Sequence, residues 1–351
     1  MTAGQVIGTA DGLDLLLKEA AYRCSNPACR SAIAPETSTS VFVFQSGANQ
    51  VENLLLLCQA CGSQYHDGHF PQAAVQAWKI LLLALNGIDV NAGELKNAAM
   101  RNYPGIAPFF PDGYFAYPGP GGKIYLDIKE SRMMFARALG LYEPDKTQTI
   151  RSLLRPGMTF IDVGANKGDF SLLAAKIVGD TGAVLAFEPE PENLHWLARS
   201  VELNGYGNIK AFDVALGERN ETVPLYLGDK SGWHSLVPSP TGHSRGTISI
   251  NKRTLDSFLE ELGNPDVHMI KIDVEGAELE VLHGAQRTLS GNSGVVLLLD
   301  IHPHMGVNPS DVFDFLGKHG FTMYCMNTPH EILTHADTNT REVLATRGRA
   351  P

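Results

Sequence analysis

A stretch of twelve residues near the middle of the chain combines an apolar run that ends in an acid with two glycines. In TFIDVGANKGDF, Asp162 ends a predicted strand, and Gly164, Asn166 and Gly168 fall in the turn before the next helix. Because glycine has no Cβ atom, such a turn bends sharply and a ligand can approach its backbone closely. The stretch matches neither the G-x-G-x-x-G pattern of dinucleotide sites nor the GxxxxGK[ST] pattern of phosphate loops. The acid would repel a pyrophosphate, whereas it suits a ligand that carries an ammonium and a sulfonium group.

A second acid follows the next predicted strand. Glu188, in LAFEPEPEN, lies about one helix and one strand after Asp162. A carboxylate in that place can accept hydrogen bonds from both ribose hydroxyls of a nucleoside. Glu188 can also act as the cap of a helix that begins at Pro191. The glycine turn that precedes it favours the nucleoside interpretation.

Asp162 and Glu188 can lie at the same edge of a sheet if strands and helices alternate in this part of the chain. Five apolar segments are predicted strands: Met158–Ile161, Ala183–Phe187, Lys210–Val214, His268–Ile272 and Val295–Asp300. Four segments have helical patterns: Phe170–Val178, Pro191–Asn204, Ala277–Leu289 and Pro309–Lys318. This alternation predicts a parallel sheet with helices on both faces. Residues 216–265 interrupt it with two further strands, ETVPLYL and GTISINKRTL, joined by the insertion loop GDKSGWHSLVPSP.

Five segments in this order resemble the FkbM-type family of S-adenosylmethionine (SAM)-dependent methyltransferases. They are FIDVGANKGDFSLLAAKIVG, VLAFEPEPENLHWLARSVELNG, DVALGE, TLDSFLEELG and MIKIDVEGAELEVLHGA. The resemblance covers about residues 142–321 and implies an α/β fold of the class I methyltransferase type. Its Rossmann-like sheet would have seven strands, with the cofactor across their carboxyl ends, and the segments CMN and EVLATR would supply the final antiparallel pair.

The resemblance also implies which residues hold the cofactor and what the enzyme does. Asp162 and the glycine turn 164–168 would face the amino acid end of SAM, and Glu188 would face its ribose. The remaining cofactor residues would be Asp213 and Val214 by the adenine, and Asp273 and Glu275 beside the transferable methyl group. The expected reaction is in-line O-methylation of a hydroxyl on a sugar or natural-product acceptor. The second hypothesis is an interaction protein whose methyltransferase half binds the cofactor without catalysing transfer.

Three side chains are candidates for the general base that a hydroxyl acceptor needs. Asp273 ends the fourth predicted strand of the sheet, His302 follows the fifth in LLLDIHPH, and His234 lies in the insertion loop. Histidine has an unperturbed pKa near neutrality, although each of these residues can equally be a hydrogen-bonded structural residue. Asp273, Glu275, Asp300 and His302 also form a candidate magnesium site, because hard oxygen ligands suit that ion.

Four of the five cysteines lie close together in the N-terminal part of the chain. CSNPAC and CQAC place Cys24, Cys29, Cys58 and Cys61 in two short pairs, which is the spacing of a tetrahedral zinc site. A reducing compartment favours zinc over disulfides, and the alternative is four unrelated buried thiols. A shell of four sulfurs leaves no open position for water, so we expect the Zn²⁺ to be structural.

The segment around these cysteines resembles the zinc-stapled frame of HNH-type endonuclease domains. That family places a catalytic histidine between its two cysteine pairs, but residues 30–57 of this chain contain no histidine. His66 and His69 follow the second pair and are late candidates at most. We therefore expect a non-catalytic module that serves docking, substrate capture or dimerisation.

The length of 351 residues fits two domains. We expect an HNH-like zinc domain at residues 1–90, a connector at 91–122 and the methyltransferase domain at 123–351. Within the connector, residues 102–122 are rich in proline, glycine and aromatic residues, and we expect them to be irregular. With 38 acids against 28 bases, the net charge of −10 argues against nucleic acid as a partner. The chain shows neither an apolar run of about 18 residues nor a signal-peptide pattern at its start, so we expect a cytoplasmic protein without membrane contact.

Overall fold

The computed structural model describes residues 20, 23–27, 29, 31–33, 40–43, 54–85, 93–238, 244–326, 331–337 and 340–348. The chain divides into two compact units, Met1–Pro118 with Leu126–Tyr142, and Gly119–Tyr125 with Glu143–Pro351. The domain boundaries expected from the sequence remain predictions. Among the described residues, no helix has the length and apolar character needed to span a bilayer.

The first unit contains a short sheet and several helices. Its strands β1 (Ser40–Val43) and β2 (Leu54–Leu57) pair in antiparallel fashion. Its described helices are α1 (Gln59–His66), α2 (Gln72–Leu85), α3 (Gly93–Arg101), α4 (Tyr103–Ile106) and α5 (Arg132–Ala138). Trp78 of α2 is buried with Leu55–Leu57 in the core, and its ring meets that of Phe70 at 5.1 Å between centroids.

The expectation that residues 102–122 are irregular is wrong. They form α4, a 3-10 turn at Ala107–Phe109 and the strand β3 (Phe115–Gly119), which pairs with β4 (Gly122–Leu126). Pro104 lies in the first turn of α4, where a missing N–H removes no helical hydrogen bond. Pro118 lies in a two-stranded sheet, where each strand is an edge that tolerates proline. Prolines in these places are compatible with regular structure, so a high proline content did not indicate an irregular segment here.

The second unit is built on a seven-stranded sheet. Its strands are β5 (Thr159–Val163), β6 (Ala183–Phe187), β7 (Ile209–Phe212), β11 (Met269–Ile272), β12 (Val296–Asp300), β13 (Thr322–Cys325) and β14 (Glu342–Thr346). They lie in the order β13-β14-β12-β11-β5-β6-β7. The pairs within β12-β11-β5-β6-β7 are parallel, and β14 is antiparallel to both of its neighbours. The chain order reverses between β5 and β11, which is where open α/β sheets form their ligand crevice.

The helices of this unit connect the strands much as the sequence predicts. They are α6 (Pro144–Leu153), α7 (Asp169–Val178), α8 (Pro191–Asn204), α9 (Leu255–Glu261), α10 (Glu278–His283), α11 (Gln286–Gly291) and α12 (Pro309–Lys318). The single helix expected at 277–289 is two helices that break at Gly284. The Gly284 carbonyl accepts a hydrogen bond from the backbone N–H of Asp256, and a Cβ at this position would collide with the Gly217 carbonyl oxygen. The helix is therefore interrupted at Gly284, where the chain packs closely against the backbone of Asp256 and Gly217.

A small second sheet carries the insertion loop. Its strands β8 (Ala215–Leu216), β10 (Gly246–Arg253) and β9 (Glu221–Leu227) lie in that order, with β9 and β10 antiparallel. The two further strands expected between 216 and 265 are thus confirmed. Between β9 and β10, the structure describes loop residues 228–238 and 244–245. These residues belong to the same unit as the seven-stranded sheet.

Candidate active site

The turn after β5 packs directly against the end of β11. Gly164 and Gly168 have φ angles of 75° and 94°, which favour glycine, and Asn166 between them has φ 50°. A Cβ on Gly164 would collide with the carbonyl oxygen of Asp273, and a Cβ on Gly168 would collide with Leu197. Both glycines are therefore required by backbone conformation and by space.

Asp162 has a cationic partner within the protein. Its side chain is fully buried, and its Oδ2 accepts a hydrogen bond of 2.6 Å from Ser171 Oγ. Lys271 Nζ lies 3.2 Å from Asp162 Oδ1 and donates a hydrogen bond of 2.8 Å to the Gly164 carbonyl. Burial alone would lower the pKa of Lys271, but Asp162 and Asp273 outweigh it and raise that pKa. Our sequence reasoning missed Lys271, although a lysine inside the apolar strand MIKI is an identifiable signal.

Glu188 lies at the tip of β6, next to the glycine turn. Its Oε2 accepts a hydrogen bond of 2.7 Å from the Asn166 backbone N–H, and its Oε1 accepts one of 3.0 Å from the Glu190 N–H. The side chain that caps α8 is Glu190, which accepts from the Asn193 N–H at 2.7 Å. Burial raises the pKa of Glu188 to about 7, although the backbone donors act in the opposite direction. A buried carboxylate that does not cap the helix is consistent with a ligand-binding role.

The insertion loop is tied to the glycine turn through one carbonyl group. The Ser231 carbonyl accepts hydrogen bonds from Asn166 Nδ2 at 2.8 Å and from Asn193 Nδ2 at 2.9 Å. Asn193 Oδ1 in turn accepts a hydrogen bond of 2.7 Å from the buried Lys167 Nζ. Sequence reasoning missed Lys167, Asn193 and Ser231, because their contacts join segments far apart in the chain.

The tips of β11 and β12 bring a histidine among three carboxylates. His302 Nδ1 lies 2.6 Å from Glu278 Oε1. His302 Nε2 lies 3.8 Å from Asp273 Oδ1 and 3.5 Å from Glu275 Oε2. Glu275 has a left-handed φ of 50°, and its carbonyl accepts a hydrogen bond of 2.5 Å from Ser235 Oγ in the insertion loop. The structure thus unites the predicted residues Asp273, Glu275 and His302, and adds Glu278.

These carboxylates control the charge of the imidazole. Burial alone would lower the pKa of His302, but Glu278, Glu275 and Asp273 outweigh it and raise that pKa to about 9. Burial raises the pKa of Glu275 to about 7, against the opposing effect of His302. The carboxylates therefore favour the protonated imidazole, in which both ring nitrogens donate hydrogen bonds.

Three members of the predicted magnesium set are close enough to share a cation. One ligand atom each from Asp273, Glu275 and His302 lies within 4.8 Å of the others. Asp300, the fourth predicted member, is absent from this group. Its Oδ2 instead pairs with the buried Lys146 Nζ at 2.5 Å.

The other predicted site residues lie around the same edge of the sheet. Asp213 is exposed after β7, and Val214 is partly buried against the main core. His234 is next to Ser235 in the insertion loop, and its Nδ1 accepts a hydrogen bond of 3.1 Å from the Gly228 N–H. Neither the adenine contact of Asp213 nor the base role of His234 goes beyond a prediction.

The four N-terminal cysteines form a cluster in the first unit. One sulfur atom each from Cys24, Cys29, Cys58 and Cys61 lies within 4.8 Å of the others. The sulfurs of Cys29 and Cys58 are 3.7 Å apart. Two N–H groups donate to sulfur at 3.3 Å, the Cys58 backbone N–H to Cys24 and Asn26 Nδ2 to Cys61.

The sheet order, with one antiparallel strand next to the edge and acids at the tips of β5, β6 and β11, defines the class I methyltransferase fold. Residues 162–323 match the family model of the Methyltransferase FkbM domain. This part of the chain is therefore similar to the FkbM methyltransferase domain.

Curated relatives and solved structures are similar to part of this chain. The 2-O-methyltransferase NoeI of Sinorhizobium fredii is 28% identical over 162 residues, which cover 41% of this chain and 63% of the relative. The hexuronic acid methyltransferase AglP of Haloferax volcanii is 31% identical over 166 residues, covering 45% and 60%. The chain thus spans about three fifths of the length of these relatives. The crystal structure of methyltransferase FkbM from Methylobacillus flagellatus is 16% identical, with a TM-score of 0.36 and coverage of 62% of this chain and 54% of that one.

The contact between the glycine turn and β11 predicts a difference between two glycine variants. Gly164→Ala should destabilise the protein by more than 3 kcal/mol, since it adds a collision with Asp273 to the cost of a left-handed alanine of about 1–2 kcal/mol. Gly205→Ala is the matched control, because Gly205 has the left-handed angles φ 68° and ψ 27° and open space around its Cβ position. Urea unfolding measures both values, and equal losses in the two variants would contradict the packing role of Gly164.

We expect substitution of Glu188 to have opposite effects on the stability of the ligand-free protein and on its affinity for the ligand. Its folded pKa of about 7 exceeds the ordinary value of 4.5, so ionisation between these pH values lowers the stability of the ligand-free protein. From pH 5 to pH 8, the stability of Glu188→Gln should therefore rise relative to wild type by on the order of 2 kcal/mol. The same variant should bind S-adenosylhomocysteine (SAH) about tenfold more weakly, because a neutral amide accepts ribose hydrogen bonds less strongly.

Denaturant unfolding at the two pH values and calorimetric titration with SAH measure these effects. An SAH affinity equal to that of wild type would remove Glu188 from the ribose site. Glu190→Gln is the control, because Glu190 caps α8 from a neighbouring position and should leave SAH affinity within about threefold.

Proposed function

We propose that this protein transfers the methyl group of SAM to a hydroxyl of a sugar or a sugar-like natural product. The observation that carries this proposal is the pair of acidic strand tips around one glycine turn, Glu188 on one side and Asp273 on the other, within a region similar to the FkbM methyltransferase domain. The names of two relatives, a 2-O-methyltransferase and a hexuronic acid methyltransferase, support an oxygen on a carbohydrate as the acceptor.

The residues present fit SAM as the cofactor. Glu188 offers buried carboxylate oxygens to a ribose, and the turn 164–168 offers backbone to the amino acid end. Asp213 and Val214 would contact the adenine. We assign Asp162 an indirect role, since its carboxylate is buried against Lys271 and Ser171 and holds the turn in place. Bound SAM supplies an electrophilic methyl group with a good leaving group.

The protein's own residues then have to align the acceptor and take up its proton. Alignment of two reactants can supply roughly 7–11 kcal/mol of barrier reduction, so positioning dominates methyl transfer. We assign the base to Asp273, because its side chain is 22% exposed at the tip of β11 and can reach a bound hydroxyl. His302 would orient Asp273 and Glu275 through its Nε2.

Methyl transfer from labelled SAM to a panel of methyl glycosides tests this function. Asp273→Asn should lower kcat by about 10²–10⁴-fold, because a general base contributes that much, while SAH affinity changes by only a few fold. A wild-type protein that binds SAH but methylates no acceptor would favour the alternative of a cofactor-binding interaction protein. Full turnover by Asp273→Asn would show that Asp273 is not the base, and activity that survives EDTA treatment would rule out the cation site.

We further infer that the four cysteines hold one structural Zn²⁺. A tetrahedral ion with Zn–S bonds of about 2.3 Å separates its sulfurs by about 3.8 Å, and the Cys29–Cys58 distance of 3.7 Å fits this edge. The N–H donors to Cys24 and Cys61 also fit thiolates that are bound to a metal. A thiolate site agrees with the reducing compartment that a cytoplasmic protein occupies. In this proposal the module serves docking or dimerisation.

Zinc content should therefore depend on the clustered cysteines. Purified wild-type protein should contain about one Zn²⁺ per chain by elemental analysis, and Cys24→Ser and Cys58→Ser should each lose most of it. Cys325→Ala is the matched control and should retain the metal, because Cys325 lies in β13 of the other unit. Wild-type protein free of zinc after purification without chelators would contradict the site.

A further inference from the structure

The insertion loop presents an exposed indole near the candidate site. Trp233 is 59% exposed, the largest value among the exposed large hydrophobic side chains of the described residues. Water contact with so much apolar surface is unfavourable, and an aromatic ring at the edge of a site is a common means of ligand recognition. The proposed function assigns Trp233 no role so far.

Both sides of this tryptophan are tied to the strand tips that form the site. Two residues before it, the Ser231 carbonyl accepts hydrogen bonds from Asn166 of the glycine turn and from Asn193. Two residues after it, Ser235 Oγ donates to the Glu275 carbonyl. The backbone at Trp233 therefore spans the gap between the turn after β5 and the turn after β11.

Contacts within the loop fix the backbone at Trp233. The Trp233 N–H donates a hydrogen bond of 3.0 Å to the Lys230 carbonyl, and Ser235 and Tyr226 exchange two backbone hydrogen bonds of 2.8 and 3.1 Å. A Cβ on Gly228 would lie 2.7 Å from Trp233 Cβ, so the glycine lets the two segments pack closely. The ring is thus carried by an ordered backbone, and little backbone entropy remains to be lost when a ligand binds.

We propose that the indole of Trp233 is the platform on which the acceptor's sugar ring stacks, which makes Trp233 a specificity-determining residue. This inference rests on the proposed function. One face of a pyranose ring carries C–H groups, and their partial positive charge suits the negative face of an aromatic ring. The hydroxyls at the ring's edge stay free for hydrogen bonds, and one of them can reach Asp273 at the tip of β11. The indole binds the C–H face of the sugar, while Asp273 positions the reacting hydroxyl and receives its proton.

Kinetics of four proteins test this platform: wild type, Trp233→Phe, Trp233→Ala and the control Leu262→Ala. The acceptor is the methyl glycoside that wild type methylates best, at saturating SAM. We expect Trp233→Ala to raise KM about tenfold with kcat nearly unchanged, and Trp233→Phe to stay within about threefold because it keeps an aromatic face. Leu262 is exposed just after α9, and its variant should behave as wild type.

A binding measurement supplies a readout that does not need turnover. Titration of the SAH complex with the same glycosides should change the tryptophan fluorescence of wild type but not of Trp233→Phe, in which Trp78 and Trp196 remain. An unchanged KM in a folded Trp233→Ala, or an unchanged fluorescence in wild type, overturns the proposal. A loss of SAM or SAH affinity in Trp233→Ala with unchanged acceptor KM also overturns it, because the indole would then contact the cofactor.

The two levels of inference fail in different ways. A wild-type protein that methylates no glycoside refutes the proposed function, whatever Trp233 does. An active wild type whose Trp233→Ala variant keeps its acceptor KM refutes the platform alone.

Discussion

A buried lysine holds two neighbouring strand tips at a fixed distance. Lys271 Nζ lies 3.2 Å from Asp162 Oδ1 and 3.6 Å from Asp273 Oδ2, and it donates to the Gly164 carbonyl. Because a buried charge is costly without partners, these groups remain together in the folded state. The same tips touch where Gly164 meets the Asp273 carbonyl. Charge and steric contact thus fix one geometry for the glycine turn and for the candidate base.

Backbone strain and carboxylate burial occur together around this pair of strand tips. Asn166 and Glu275 are two of the four described non-glycine residues with a positive φ angle, a conformation that persists only where the surroundings hold it in place. Each is held by a partner from the insertion loop, the Ser231 carbonyl in one case and Ser235 Oγ in the other. Burial also raises the pKa of Glu188 to about 7, so the ligand-free protein keeps this acid in an unfavourable environment. The loop and the turns therefore stabilise one another across the site.

Local sequence signals predicted the elements, whereas contacts between distant segments stayed hidden. Pro191 and Pro309 begin helices, and a helix start depends only on the residues of its first turn. The strand β6 is a single apolar run. The sequence therefore predicted the bounds of these three elements correctly. The break at Gly284 depends on a neighbouring carbonyl group, which no periodicity shows. The acids Glu188 and Asp273 follow strands and were predictable from position. The hydrogen bonds to the Ser231 carbonyl were not predictable, since their donor Asn166 lies 65 residues away in the chain.

The last strand of the sheet in chain order occupies an interior position. β14 lies between β12 and β13, so β13 pairs with the sheet through a strand that is synthesised after it. Until residues 342–346 leave the ribosome, one edge of β12 stays open, although the strands from β5 to β12 can already pair. An open edge of apolar strand is a template for wrong pairing between nascent chains. Completion of this domain is therefore a late event in translation, and the antiparallel strand closes it.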